Sequence, residues 1–137
     1  MAHRSTPVVT ELTAPFWRAT EQGRIELQYC ALCNRFIFPP FPECLGCDSS
    51  RPEWREVAAS GSINTISVVE SDILPGLEEL IPLQVALVAL DGVPGVLIPS
   101  NVLGAGARSG DRVRATFEYA GTVALPLFAL DATAVEQ

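Results

Sequence analysis

All four cysteines of the chain lie in one short stretch, YCALCNRFIFPPFPECLGCD, which begins at Tyr29. They form two CxxC pairs, Cys30 with Cys33 and Cys44 with Cys47. A CxxC turn presents two thiolates to one side of a metal ion, so two such turns can complete a tetrahedral shell around Zn²⁺. The paired spacing therefore predicts a zinc site with these four residues as ligands.

Other uses of the four thiols remain open at this point. Iron in a rubredoxin-like site also accepts four thiolates, and it would make the chain an electron carrier. A catalytic dithiol needs only one CxxC pair and leaves the other pair without a role. Disulfides are disfavoured because the N-terminus has no apolar stretch of signal-peptide length, which indicates the cytoplasm, where thiols stay reduced. A shell of four thiolates has no open position, so the metal is expected to be structural.

The residues around the second cysteine of each pair favour tight turns. Asn34 directly follows Cys33, and Asp48 directly follows Cys47. Both residue types tolerate left-handed backbone geometry better than most, and Gly46 adds freedom to the second turn. The eleven-residue step from Cys33 to Cys44 is long enough for a short β-hairpin between the turns.

The rest of the sequence offers no convincing catalytic group. His3 is the single histidine, and it lies near the chain terminus. No GxSxG, phosphate-binding glycine loop or HExxH motif occurs. Acidic residues that could serve as acids or bases if buried are more typical of a solvated loop; they are Glu70, Asp72, Glu78 and Glu79. We therefore predict no catalytic residue in this chain.

Composition limits the classes of partner. The chain has a formal charge of -7, and all nine basic residues are arginines. A general nucleic-acid footprint needs an excess of basic side chains, so single-strand binding is a weaker alternative, with Arg108, Arg112 and Arg114 as the one local patch. No apolar run reaches the roughly 18 residues that a membrane helix requires.

A short helix is predicted over TAPFWRATEQGR, before the cysteines. Thr13 can cap it, Pro15 suits its first turn, and Gly23 suits its end. Phe16 and Trp17 are bulky for so short an element. They either cover the core of the chain or anchor a partner protein, since aromatic anchors dominate protein interfaces.

A metal ribbon is expected over residues 25–54. The segment RIELQY enters it as a strand, and RFIFPPFP forms the connecting hairpin. Phe36, Phe38 and Phe41 stand among prolines in this hairpin. Their rings either seal the metal site and pack on the next module or rest on another protein, so Phe36 and Phe38 join the candidate partner-binding residues.

Short strands separated by turns follow over residues 55–137 and predict an all-β barrel. The expected strands are EVAASGSINTISVVES, LQVALVALDG, VPGVLIPSN, DRVRATFEY and ALPLFAL. Gly61 permits a sharp bend in the first, and Asp91-Gly92 supplies a turn after the second. Val113, Ala115, Phe117 and Tyr119 should share one face of the fourth. The connection over residues 71–82 is both apolar and acidic, so it either plugs the barrel end or binds a ligand.

This order of elements resembles a family of zinc-ribbon and OB-fold proteins that were long known only as a domain of unknown function. The resemblance covers the chain from Pro15 to Leu130 and is carried by PFW in the helix, the double CxxC ribbon, and the barrel segments GSINTISVV, LQVALVALDG and GDRVRATFE. It implies a mainly β protein: a short helix in residues 1–24, a rubredoxin-like zinc ribbon and a five-stranded OB-fold barrel.

The resemblance also implies a function. Proteins of this family are accessory, non-catalytic subunits of thiolase-like enzymes that act on acyl-CoA, including aldolases that shorten steroid side chains. Some occur with hot-dog-fold hydratases. The implied reaction is carbon-carbon cleavage by thiolysis or retro-aldol chemistry, or acyl transfer, in a cytoplasmic assembly of two copies of each chain. Acyl-CoA is expected at or near the interface, and no CoA-binding residue can be assigned to this sequence.

Overall fold

The computed structural model describes residues 6–47, 51–70 and 81–131. It contains one helix and two sheets, and the elements follow in chain order. They are α1 Ala14–Glu21, β1 Ile25–Cys30, β2 Arg35–Ile37, β3 Glu53–Val57, β4 Ser60–Val69, β5 Leu83–Leu90, β6 Ile98–Leu103, β7 Arg112–Ala120 and β8 Val123–Leu130. The described residues contain no helix that is long and apolar enough to cross a membrane.

Helix α1 begins and ends where its sequence predicts, but its cap differs. Thr13 is the N-cap residue, yet its side chain makes no capping hydrogen bond. Its hydroxyl oxygen instead accepts a hydrogen bond from the Thr10 N–H at 3.0 Å. The helix ends at Glu21 with Gln22 as its C-cap, and Gly23 follows with φ at +75°, the left-handed geometry that glycine adopts without steric cost.

The ribbon is a three-stranded antiparallel sheet in the order β2-β1-β3. Strand β1 lies in the centre, with Cys30 opposite Arg35 on β2 and Tyr29 opposite Glu53 on β3. Strand β3 runs to Val57, so the ribbon sheet extends beyond residue 54, where the sequence placed its end. The single strand expected from Glu56 onward is therefore two strands, one in each sheet.

The barrel is closed, with the strand order β4-β5-β6-β8-β7 and β7 returning to β4. All neighbouring pairs are antiparallel except β6 and β8, which run parallel. The mainly β, OB-like fold predicted from the sequence is confirmed. Strand β5 matches its prediction, and β8 begins one residue before its predicted segment.

One detail of the strand prediction was wrong. The segment predicted from Val93 becomes a strand only at Ile98, because Gly95 takes a positive φ of 82° in a turn beforehand. On β7 the register with β8 is unbroken, so Tyr119 shares a face with Val113 as predicted, but Tyr119 is 61% exposed. The buried residue at that end of the strand is Ala120.

Gly61 lies where β4 pairs with two strands at once. Gly61 and Ser62 are aligned with both β5 and β7, so β4 closes the barrel at this point. A Cβ atom at Gly61 would overlap the carbonyl oxygen of Ala89 and lie 2.8 Å from the Cα of Leu90. The glycine is therefore required by the close approach of two backbones.

One hydrophobic core joins the helix, the ribbon and the barrel. Phe16 of α1 and Leu27 of β1 belong to the same buried cluster as Val88 and Phe128 of the barrel. Trp54 of the ribbon packs against this cluster from the edge. The ribbon therefore packs directly against the barrel and shares its apolar interior.

The predicted arginine patch is largely neutralised within the chain. Arg112 makes two hydrogen bonds to the Asp91 carboxylate at 2.9 and 2.6 Å, and Ser60 donates a third at 2.9 Å. Arg114 pairs with Asp131 at 3.4 Å. These contacts tie the turn after β5 to strands β4 and β7, and they leave little free cationic surface for phosphates.

Several sequence predictions lie outside the described residues. They concern His3, Asp48 and the segment 71–80 of the expected connection, which includes Asp72, Glu78 and Glu79. Glu70 is described and exposed at the end of β4, in agreement with a solvated charge.

The close approach at Gly61 can be tested by adding one methyl group. We expect Gly61→Ala to lower the free energy of unfolding by roughly 2–4 kcal/mol, because backbone atoms of β5 occupy the space that the Cβ needs. Urea denaturation of both proteins measures the change. Ser62→Ala, on the next residue of β4, is the control and should change stability by less than about 1 kcal/mol. Equal effects of the two substitutions would contradict the assignment.

The Asp91 contacts predict a pH dependence of stability. The hydrogen bonds from Arg112 hold the pKa of the Asp91 carboxyl below its usual value of 3.8. A group whose pKa falls on folding stabilises the protein above its unfolded pKa, and this stabilisation is lost as the pH drops through the folded value. We therefore expect Asp91→Asn to be less stable than wild type at pH 7, with the difference shrinking below about pH 4. Thermal unfolding between pH 3 and 7 measures it, and a difference that does not change with pH would contradict it.

Candidate metal centre and the aromatic cleft

The four cysteine side chains meet at one end of the ribbon. All four Sγ atoms lie within 4.8 Å of one another, with Cys30 and Cys47 at 3.6 Å and Cys33 and Cys44 at 3.8 Å. Four thiolates that surround a zinc ion at about 2.3 Å have sulfurs about 3.8 Å apart, so the cluster fits such an ion. The predicted ligand set is thus brought together as a metal-binding cluster.

The first pair is held by the turn that its sequence predicts, whereas Asp48 of the second turn lies outside the described residues. Strand β1 ends at Cys30, and Asn34 then takes a left-handed φ of 55° to bring the chain back into β2. In the second turn the Gly46 N–H donates a hydrogen bond to the Cys44 Sγ at 3.3 Å. The guanidinium of Arg35 lies against Gly46, where a Cβ atom would be 2.9 Å from it. A larger residue would therefore require the flexible Arg35 side chain to move aside.

The Cys33 thiol opposes deprotonation when no cation is near. Hydrogen bonding to Cys47, with burial and contacts to Cys44 and Cys30, raises the pKa of the Cys33 thiol to about 12. Adding a second negative charge to a cluster this tight is costly unless a cation lies between the sulfurs. A divalent ion removes that cost and supplies free energy that folds the ribbon. Cys30 and Cys44 are fully buried, so this ion would be shielded from water.

A buried glutamine fixes the hairpin that follows the first cysteine pair. Gln28 of β1 accepts a hydrogen bond from the Phe41 N–H at 2.8 Å and donates one to the Phe41 carbonyl at 2.9 Å. Both ends of its amide are therefore satisfied on one backbone residue. Sequence reasoning missed this contact, because its partners are thirteen residues apart and a lone glutamine carries no motif.

The four aromatic residues predicted to bind a partner lie in two places. Phe16 is buried and contacts Trp17 edge to face, with ring centroids 4.8 Å apart, and Phe38 at 6.1 Å. Phe36 lies apart from them and stacks edge to face on Tyr29 at 4.8 Å. Trp17, Phe36 and Phe38 are half-buried. The helix and the ribbon hairpin therefore converge on one shared aromatic cluster.

An apolar cleft of about 390 Å³ opens beside this cluster. We call it the aromatic cleft and define it by its walls from α1, the ribbon hairpin, β6 and β8. Its lining includes Trp17, Phe38, Pro40, Ile98 and Leu125. Nothing in the sequence indicated the barrel wall of the cleft, because that wall forms only when β6 and β8 become neighbours.

Taken together, a four-thiol ribbon fused to a closed five-stranded barrel defines the class of zinc-ribbon and OB-fold proteins. The chain is similar to solved structures of DUF35 proteins. No model of a protein family matches the sequence, so this similarity rests on solved structures. A chain of the Ltp2-ChsH2(DUF35) aldolase superposes with a TM-score of 0.77 and 28% identity, over 91% of this chain and 98% of that one.

Two further comparisons agree with the family. A DUF35 protein of unknown function from Sulfolobus solfataricus matches with a TM-score of 0.63 over 90% of this chain and 87% of that one; at 16% identity it supports the fold alone. A probable enoyl-CoA hydratase alpha subunit of Thermomonospora curvata is 31% identical over 103 residues, which are 75% of this chain and 31% of that protein. The chain thus spans about a third of the length of this curated relative.

The metal centre is testable by removing one ligand. We expect the purified protein to carry one metal ion per chain, and Cys44→Ser to lose it, because the substitution takes away a ligand and the acceptor of the Gly46 N–H. Elemental analysis measures the content and distinguishes zinc from iron, and iron would also colour the protein. Leu45→Ser is the matched control, since Leu45 lies in the same turn but is 70% exposed. A wild-type chain without metal and with disulfide-linked cysteines would contradict the assignment.

Proposed function

We propose that the chain is a non-catalytic accessory subunit of an enzyme complex that acts on acyl-CoA thioesters. The observation that carries the proposal is the likeness to the Ltp2-ChsH2(DUF35) aldolase chain, which extends over nearly the full length of both chains. The partner in this proposal is a thiolase-like subunit. It contributes the nucleophile and the base, and the reaction is carbon-carbon cleavage by retro-aldol chemistry or thiolysis, or acyl transfer.

The similarity to the hydratase subunit supports the same substrate class. The name of that relative refers to the hydration of enoyl-CoA. The region that matches this chain is 31% of its length. We infer that a chain of this kind works beside acyl-CoA enzymes, either fused to them or as a separate subunit. A hydratase is accordingly a second candidate partner, and steroid side chains are the finer substrate class that we propose.

The chemistry of the described residues supports a role without catalysis. The four cysteines are gathered in the metal cluster, where a closed shell of thiolates leaves no position for substrate. Arg112 and Asp91 are engaged with each other, as are Arg24 and Glu26 at 2.7 Å. Within residues 6–47, 51–70 and 81–131 no histidine occurs that could serve as a base. In this proposal zinc is the structural ion.

The partner contact that we propose involves the aromatic residues of α1 and the ribbon hairpin. Trp17, Phe36 and Phe38 keep part of their surface exposed. Phe16 supports Trp17 and Phe38 from the core, and Tyr29 contacts Phe36. Half-buried aromatic side chains held by a rigid support are typical anchors of protein interfaces. We propose a cytoplasmic assembly with two copies of each subunit, built on a dimer of the thiolase-like partner.

Co-expression with the thiolase-like protein encoded beside this chain tests the proposal. We expect a stable complex on gel filtration and acyl-CoA cleavage or transfer by the complex, with no turnover by this chain alone. Product analysis of the thioester by mass spectrometry identifies the reaction. Turnover by the isolated chain, or failure of every neighbouring acyl-CoA enzyme to co-purify, would refute the proposed role.

A substitution tests the proposed contact surface. We expect Phe36→Ala to weaken the association at least tenfold, because truncation of an aromatic anchor typically costs about 2 kcal/mol or more of binding free energy. Tyr119→Ala is the control, since Tyr119 is more exposed and lies at the far end of β7. Surface plasmon resonance measures both, after thermal unfolding shows that each variant is folded. Equal affinities of the two variants would place the interface elsewhere.

A further inference from the structure

Gly46 of the second CxxC turn differs from most glycines of the chain. Of the nine glycines that the structure describes, all except Gly46 and Gly61 have a positive φ, the backbone geometry that most side chains avoid. At Gly61 two backbones meet. At Gly46 the space of a Cβ atom is taken by the guanidinium of Arg35, whose Cζ and Nη1 atoms lie 2.9 Å from the Cβ position. The missing side chain at Gly46 therefore leaves room for one charged group.

Arg35 reaches this position from the first CxxC turn. It lies on β2 directly opposite Cys30 of β1, and opposite side chains of an antiparallel pair share one face of the sheet. Its guanidinium lies on the second turn, between Cys44 and Cys47 in the sequence. There the Gly46 N–H donates to the Cys44 Sγ at 3.3 Å, so one residue contacts both a sulfur and the guanidinium. The Arg35 side chain therefore extends from one pair of cysteines to the other.

The charge of Arg35 has no carboxylate partner among the described residues. Residues 29–47 contain one basic and one acidic side chain, Arg35 and Glu43, and these two do not form an ion pair. Other arginines of the chain do pair with carboxylates; they are Arg24, Arg55, Arg112 and Arg114. A cation that is held on the metal-binding turn is thus left to act on the sulfurs.

A metal ion in the cluster would make this charge important. Four thiolates around a divalent cation leave two net negative charges, and burial of uncompensated charge is costly. Cys30 and Cys44 are fully buried, so water solvates their sulfurs poorly. A cation beside the centre offsets part of this excess, and groups next to metal ligands change metal affinity by about 10–100-fold.

We propose that Arg35 is the counter-ion of the four-cysteine metal centre and increases its affinity for the metal. Arg35 is a positioning residue and not a ligand, since it acts through the charge of the sulfurs that hold the ion. Gly46 belongs to the same arrangement, because it lets the guanidinium lie against the turn. The inference rests on the metal centre and is independent of the proposed enzyme complex.

Metal competition measures the contribution of Arg35. Zinc-loaded wild type and Arg35→Gln are titrated with a chelator, and the ratio of their zinc dissociation constants is taken. In about 0.02 M salt we expect the substitution to weaken zinc binding about three- to tenfold, less than a buried charge would, because Arg35 is exposed. In about 1 M salt, where the Debye length is about 3 Å, the ratio should fall close to one. A loss of affinity that salt leaves unchanged would indicate a structural role and would overturn the inference.

Further variants separate charge from position. Arg35→Lys keeps the charge and should recover most of the affinity, whereas Gly46→Ala displaces the guanidinium and should weaken binding. Because both sites act through one contact, Gly46→Ala should have little further effect in the Arg35→Gln background. Arg108→Gln is the matched control, since it removes the same exposed charge from the loop between β6 and β7. Thermal unfolding shows that each variant is folded.

The outcomes distinguish this inference from the metal assignment. Equal zinc affinities of wild type and Arg35→Gln in low salt would overturn the role of Arg35 and leave the metal centre in place. An equal loss in Arg108→Gln would show a general effect of net charge and would overturn that role as well. A wild-type chain that binds no zinc would refute the inference together with the zinc assignment.

Discussion

The crowding of four thiols at one end of the ribbon is the constraint on which the ribbon depends. Their Sγ atoms lie within 4.8 Å of one another, a separation that fits a divalent cation, and such an ion would add free energy to a sheet of only six, three and five residues per strand. It would also fix the distance between the two CxxC turns. The hairpin between those turns would then be positioned by one coordination shell.

The hairpin between the two CxxC turns connects the cysteine cluster to the rest of the molecule through direct contacts. Gln28 lies two residues before Cys30, and its amide holds the backbone of Phe41, three residues before Cys44. Phe38, on the same hairpin, packs against Phe16 of the helix. The metal centre, the aromatic cluster and the wall of the cleft are thus connected through a short series of direct contacts. A shared hydrophobic core then attaches this unit to the barrel.

The sequence predicted those parts of the molecule that depend on local chemistry. Two CxxC pairs specify four candidate ligands and Asn34 specifies a left-handed turn, because each property belongs to the residue itself. Gly61 was predicted to permit a bend, and the structure shows that it permits a close approach of two strands. Patterns of apolar residues located the barrel strands, but their ends shifted wherever a turn competed with the pattern, as before Ile98. At Tyr119 the alternation of β7 continued in the sequence after the core had ended.

Features that need two distant segments could not be predicted in this way. Gln28 and Phe41 have no spacing that identifies them as partners, and the Ser100 hydroxyl bonds to a carbonyl 26 residues away. The sequence positions of Arg112 and Arg114 predicted a basic patch. In the fold, Arg112 pairs with Asp91 and Arg114 pairs with Asp131. Such contacts depend on which strands of the barrel are neighbours. Hydrophobic periodicity identifies the strands but does not give their order in the sheet.

Among the described strands of the barrel, β6 and β8 form the shortest pairing. They are aligned at only two residue pairs, Val102 with Phe128 and Leu103 with Ala129. Pro99 and Pro126, which precede those pairs, have no amide hydrogen to donate, and the Ser100 hydroxyl donates to the Pro126 carbonyl beside them. The barrel wall of the aromatic cleft is therefore held at this seam by side-chain packing and one hydroxyl contact more than by a backbone ladder.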